Sequence, residues 1–130
     1  MPLKWLLRKS RMTIRLKGET KPLSSEHGET VREFFGNAIG PDGVKHSLAH
    51  IEISPGKSSL NHHHPTAEES YYILSGTARM VIDGQESLLD PGDGVVILPK
   101  KKHQIFNDGE EPLVFIAVCV PPWTPECSVF

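Results

Sequence analysis

Turn signals recur along this chain at intervals too short for helices. Gly40-Pro41-Asp42-Gly43, Pro55-Gly56, Ser75-Gly76, Asp83-Gly84, Asp90-Pro91-Gly92-Asp93-Gly94, Pro99 and the run from Asp108 to Pro112 cut residues 30–120 into short pieces. Glycine supplies the positive φ of tight turns and proline lacks a backbone donor, so regular elements stop at such points. Between them lie strand-like segments at 31–35, 46–54, 70–74, 77–82, 86–89, 95–98, 103–107 and 113–120. In 46–54, Ala49, Ile51 and Ile53 fall on one face and Leu48, His50 and Glu52 on the other, the period-two pattern of a strand. Asp83-Gly84 is the strongest hairpin signal. Residues 13–17 alternate weakly and are predicted as a first strand, 21–30 as a loop, and the proline-rich tail 121–130 as irregular. Roughly seven or eight short strands spaced roughly 8–12 residues apart predict an all-β sandwich or barrel. Residues 113–120 are apolar on both faces, which fits a strand buried inside and covered outside by a second subunit.

The 130 residues suit one domain. A net charge of −2 gives no global argument for a nucleic acid or membrane partner. Six of the 14 basic residues (Lys4, Arg8, Lys9, Arg11, Arg15, Lys17) crowd residues 1–17, leaving 8 basic against 16 acidic residues afterwards. The apolar part of that start, Trp5-Leu6-Leu7, is too short for a secretory signal, so residues 1–30 read as an arm and loop preceding a β domain at 31–120 and a tail at 121–130. Two cysteines, Cys119 and Cys127, form no disulfide framework; both read as thiols of a reducing cytoplasm.

The chemistry concentrates in GKSSLNHHHPTAEESYYILSG, residues 56–76. On an extended chain His62 and His64 point to one side and His63 to the other, a two-toothed clamp for one ion. A carboxylate from Glu68-Glu69 on the next strand supplies a third ligand, and His103 opens another strand downstream. Imidazole and carboxylate together bind Mn, Fe, Co, Ni, Cu or Zn and leave positions open for water or substrate.

These residues resemble the cupin superfamily, in its small single-domain, cupin 2 form. Gly56, five residues, His62, one residue, His64, four residues, Glu69, six residues and Gly76 match the first cupin motif at every fixed position. Gly92-Asp93, His103 and Asn107 match the second, and the likeness spans about residues 45–120. It implies a double-stranded β-helix, a jelly-roll barrel of two antiparallel sheets. It further implies one divalent metal, with Mn or Fe favoured, on His62, His64, Glu69 and His103. The Gly76 spacing selects Glu69 over Glu68, and parity sends Tyr71 and Ile73 into the same cavity as Glu69, with Ile105 and Asn107 on the side of His103. The second motif departs at Lys100, where the family commonly has glycine; the turn is expected to be rebuilt around Pro99, or else a non-glycine residue adopts positive φ at a cost of about 1–2 kcal/mol.

Cupins with this ligand set include dioxygenases, decarboxylases, lyases and isomerases. The resemblance therefore implies a metal-dependent enzyme acting on a small carboxylate, keto or enediol compound, with Glu69 and Tyr71 as catalytic candidates. A non-catalytic module that binds or senses a small molecule is the alternative. A metal-free, sugar-epimerase-like cupin is disfavoured by the intact ligand set. Among the remaining residues, His27 and His46 read as exposed, His50 as structural, Lys100–Lys102 as a solvated run and Trp123 as the cap of a barrel end or a contact to a neighbouring subunit. A homodimer is expected, because small cupins bury apolar outer faces against each other.

Overall fold

Turn chemistry and strand alternation build two antiparallel sheets that enclose one core. The structure is a computed structural model describing residues 13–36 and 44–130. The strands are β1 (Leu23–Ser24), β2 (Glu29–Phe35), β3 (Ser47–Ile53), β4 (Glu68–Ser75), β5 (Ala78–Ile82), β6 (Gln85–Leu89), β7 (Gly94–Ile97), β8 (His103–Phe106) and β9 (Leu113–Val120). Six of them form a sheet in the order β1-β2-β3-β9-β4-β7, and three form a sheet in the order β6-β5-β8. β9 lies between β3 and β4, so the chain crosses the barrel repeatedly, as a double-stranded β-helix requires. Among the described residues no helix is long and apolar enough to cross a membrane.

β9 shows how the pattern becomes packing. Leu113, Phe115, Ala117 and Cys119 are buried, while Val114, Ile116 and Val118 are only partly covered on the outer face. The inward set joins Ile51, Ile53, Ile73, Met80, Ile97 and Ile105 in the core. Burying each such side chain stabilises the fold by about 1.5–3 kcal/mol. The outer face of the larger sheet exposes Tyr72, Leu74, Val96, Leu98 and Val120.

The turns behave as their sequences demand. Asp83 and Gly84 both take positive φ (46° and 80°), as a two-residue hairpin between Ile82 and Gln85 needs. Gly76 has φ of 83°, and a Cβ there would meet the Pro112 carbonyl oxygen at 2.8 Å. Lys100 has φ of 72°. The turn after Pro99 is therefore not rebuilt: the lysine occupies the glycine conformation, and its N–H donates to the His64 carbonyl at 2.7 Å.

Three local expectations change. Residues 13–17 form no strand; a 3-10 turn occupies Lys17–Glu19, with the Glu19 carboxylate accepting from the Leu16 N–H at 2.8 Å. Leu23–Ser24 and the start of β2, expected as loop, pair with each other in the sheet. The tail carries a 3-10 turn at Pro125–Cys127, and Val129 then bridges His63. The expected turn at Gly40–Gly43 and the first twelve residues of the basic arm lie outside the described residues.

Candidate metal centre

Each of the four candidate ligands is placed by a backbone pairing. His62 and His103 exchange both backbone hydrogen bonds, at 3.1 and 2.8 Å, in an isolated antiparallel bridge. Paired residues project to the same side, so the two rings lie 4.2 Å apart. His64, two residues on, returns to that side with its ring 4.9 Å from His62 and 5.4 Å from His103. His63 faces away and exchanges backbone bonds with Val129, both at 2.9 Å. Glu69 enters from β4, where it pairs with Cys119 and Ile97. Glu68 is exposed, as the spacing to Gly76 implies.

The donor atoms of His62, His64, Glu69 and His103 all lie within 4.8 Å of one another. The hydrogen-bond pattern fixes which nitrogen faces inward. Nδ1–H of His62 donates to the Leu60 carbonyl at 2.8 Å, that of His64 to Cys127 at 2.9 Å, and that of His103 to Lys101 at 2.9 Å. A carbonyl only accepts, so each Nδ1 carries the proton and each neutral ring offers its Nε2 lone pair to the centre. Nε2 of His64 and His103 and Oε1 of Glu69 are buried without a hydrogen bond. Unpaired buried polar atoms are rare. Three converging on one point fit a bound cation.

Electrostatics agree with that reading. Burial and the neighbouring His103 lower the His62 ring to about 4, keeping it neutral and available. Burial would raise the Glu69 carboxyl, but hydrogen bonding and positive charge at the His103 and His64 nitrogens, 3.5 and 3.4 Å away, outweigh it and hold the group at about 2, and a cation between them would act on the carboxylate in the same sense. Burial pulls His64 down, yet Glu69 and the Cys127 carbonyl reverse this to a net rise. A carboxylate beside imidazoles that can release protons is the donor set a borderline divalent ion takes.

The centre lies on the wall of a cavity of about 480 Å³. Tyr71 lines it, 5% exposed, and burial followed by the Glu69 charge raises its phenol well above the ordinary value. Ile73, Ile105 and Asn107 are buried as parity predicts, but none lines the cavity. Nδ2–H of Asn107 donates to the carbonyls of Ile53 at 2.9 Å and Glu111 at 2.8 Å, making it a strut for the following loop. Trp123 lines the cavity and its N–H donates to Ser47 Oγ at 3.0 Å, so it caps the barrel end. Lys100–Lys102 do not reach the cavity. His46 is half-buried with its ring 6.5 Å from Phe35, and His50 sits half-buried opposite Ile116 and Arg32. Both cysteines are free thiols.

His27, expected to be exposed, instead lines the cavity with its Nε2 3.3 Å from Glu29 Oε1. Glu29 and Glu33 line it too. The two-residue step from His27 to Glu29 and the four-residue step on to Glu33 put all three on one face of an extended chain, but reading 21–30 as a loop concealed that signal.

The family model described as "Cupin domain" matches residues 49–119. The uncharacterized protein MJ1618 of Methanocaldococcus jannaschii is 38% identical over 106 residues, 82% of this chain and 84% of that protein. Oxalate decarboxylase OxdC of Bacillus subtilis, a protein with Mn(II) centres, is 30% identical over 105 residues, but these are 77% of this chain and only 27% of OxdC. The solved structure of KdgF from Halomonas shares the fold with a TM-score of 0.75 at 16% identity, over 88% of this chain and 98% of KdgF. With its barrel, its profile match and a relative similar over most of both lengths, the chain belongs to the cupin family.

Proposed function

We propose that the protein is a mononuclear metal-dependent enzyme acting on a small oxygenated molecule, a carboxylate, keto or enediol compound, as a dioxygenase, decarboxylase, lyase or isomerase. The observation that carries the reading is the orphaned set of Nε2 and Oε1 atoms, turned inward by three Nδ1–H donations to backbone carbonyls. His62, His64, Glu69 and His103 would hold the ion, with Mn or Fe favoured and Zn, Ni, Co or Cu accepted by the same donors. A bound divalent ion supplies Lewis acidity toward a chelating oxygen pair. The Mn(II) centres of OxdC support this choice of metal, while the small share of OxdC that the chain spans leaves oxalate as that protein's substrate.

The chain's own residues divide the remaining work. The carbonyls of Leu60, Cys127 and Lys101 hold the imidazoles in one tautomer and orientation. Tyr71, buried beside Glu69 with its phenol raised well above the ordinary value, offers its O–H as a hydrogen-bond donor to a bound oxygen. Glu69 anchors the ion and, on loosening, can accept a proton from substrate. Apolar walls at Val31, Ala49 and Ile51 exclude water from these contacts.

The exposed apolar face around Tyr72, Val96, Ile116 and Val118 supports a homodimer built on the outer sheet. The free thiols suit a cytoplasmic setting. The test is metal analysis of untagged protein, followed by O₂ uptake and product screening with carboxylic, keto and enediol compounds. The reading expects close to one ion per chain and turnover of one class. Less than about a tenth of an equivalent, with no binding on reconstitution, would overturn the metal centre. Ligand binding without product from any class would favour a non-catalytic binding or sensing role.

A further inference from the structure

The cavity has two polar ends separated by apolar walls. At one end lies the candidate metal centre, with Nε2 of His64 and Oε1 of Glu69 aimed inward, both residues more than nine-tenths buried and both atoms without a hydrogen bond. At the other lies Glu33 of β2, while Glu29 and His27 line the cavity four residues, roughly 13 Å, along the chain from it. Register measures the separation: Tyr71 pairs with Ala117, Ala117 with Ala49 and Ala49 with Glu33. Three interstrand steps put roughly 14 Å of sheet between the Tyr71 and Glu33 backbones. Val31, Ala49, Ile51 and Ala117 line the surface between.

The charge is one-sided. Glu29, Glu33 and Glu69 line the cavity, and among the described residues no lysine or arginine does. Arg15, whose charge acts on Glu33, is not a lining residue, and its Nη2–H donates to the Glu19 carbonyl at 3.3 Å. Burial raises the Glu29 carboxyl, His27 partly offsets this, and the Glu69 charge adds to the rise. Burial raises Glu33 as well, against Arg15. Buried carboxylates of this kind are stabilised by a donor or a cation and penalised by another anion. Glu29 and Glu33 are half-buried, and a ligand end bearing N–H or O–H would add a donor to those they already have in His27 and the Arg15 charge.

We infer that the cavity takes a ligand with a chelating pair of oxygens, an uncharged apolar body and a hydrogen-bond-donating far end, an amine or hydroxyl, received by Glu33, with Glu29 adding to the negative charge of the wall along the way. This rests on the metal reading above and narrows its substrate class. Compounds with a second carboxylate or a phosphate at the far end are excluded by the same wall. The acceptor residues all precede residues 49–119, the segment that matches the cupin domain.

The test holds the head constant and varies the tail. Co(II)-reconstituted protein is titrated by calorimetry with benzohydroxamate and its 4-hydroxy, 4-aminomethyl and 4-carboxy derivatives. The expected result is binding of the 4-aminomethyl compound at least tenfold tighter than the 4-carboxy compound, with the 4-hydroxy compound tighter than the parent. Comparing the amine and hydroxyl arms shows whether charge or hydrogen bonding dominates. The ratio of the amine to the carboxylate affinity, taken within each protein, should fall to threefold or less in Glu29→Gln/Glu33→Gln. Equal affinities in the wild type, tighter binding of the carboxylate, or an unchanged ratio in the double variant would overturn the inference while leaving the metal centre standing. Failure of the loaded protein to bind the parent any better than His62→Ala would instead overturn the metal reading, and this inference with it.

Discussion

Asn107→Asp tests whether the last fixed residue of the second motif serves the ion or the fold. The two side chains are nearly the same size, so no cavity and no clash is introduced. What changes is the donor: Nδ2, which serves the carbonyls of Ile53 and Glu111 at 2.9 and 2.8 Å, becomes an oxygen. The site is 1% exposed, so water cannot substitute. Each buried carbonyl left without a donor costs about 1–3 kcal/mol, which puts the ionised variant about 4 kcal/mol below wild type. Protonation returns one donor and halves the loss. The pKa of the introduced carboxyl therefore rises, in the folded variant, above its unfolded value of about 3.9. The folded state then holds its proton to higher pH than the unfolded state, so the deficit grows as pH climbs from the unfolded to the folded pKa and is largest above it. Thermal melts followed by circular dichroism should show a loss of roughly 12–20 °C at pH 8, shrinking to about half that near pH 3, below the unfolded pKa. Asn107 touches none of the four candidate ligands, so metal per folded chain should match wild type. A melting temperature within about 3 °C of wild type at pH 8, or a deficit that does not shrink near pH 3, would refute the strut.

Truncating residues 123–130 removes the Cys127 carbonyl from His64 Nδ1 while leaving the local partners of His62 and His103 in place; competition with a chelating dye should show metal affinity about 10–100-fold weaker, and unchanged affinity would mean that the tail does not orient His64. Cys119, 2% exposed and with burial, Glu69 and Cys127 pushing its thiol up to about 12, should resist an aromatic disulfide reagent at pH 8 until the protein is denatured, whereas half-buried Cys127 reacts in the native state. Tyr72→Glu with Val96→Glu places charge on the outer sheet face and should convert the expected dimer to monomer by light scattering.

The parts of this molecule legible in the sequence are those set by local rules. Period-two alternation put Ile51 and Ile53 on one face, where both are buried, and the same parity separated His63 from His62 and His64. What escaped was non-local or locally ambiguous. Val129 pairs with His63 across half of the chain, and nothing in the proline-rich tail announces that partner. Leu23–Ser24 is too short to alternate, so it exists as a strand only because β2 offers an edge to pair with. Weak alternation in 13–17 carried no turn information, and Glu19 closing onto Leu16 decided the local fold instead.

This division has a functional consequence. The four candidate ligands all fall within residues 49–119, where motif spacing and strand register constrain them together. The walls that would choose a substrate fall only partly within it. His27, Glu29 and Glu33 come from before that segment, and Trp123 and Ser128 from after it. Such flanking pieces are free to differ between chains that keep the same barrel and ligand set, because no ligand bond depends on their side chains. The Cys127 carbonyl is the exception that links the two, since the tail that lines the cavity at Trp123, Pro125 and Ser128 also fixes the tautomer of His64. A ligand that displaced the tail would therefore loosen the ion as well. Metal affinity and ligand size should accordingly be coupled: an apolar chelator too long for the cavity between Glu33 and the metal centre should bind with measurable release of metal to a competing dye, while one that fits should slow that release.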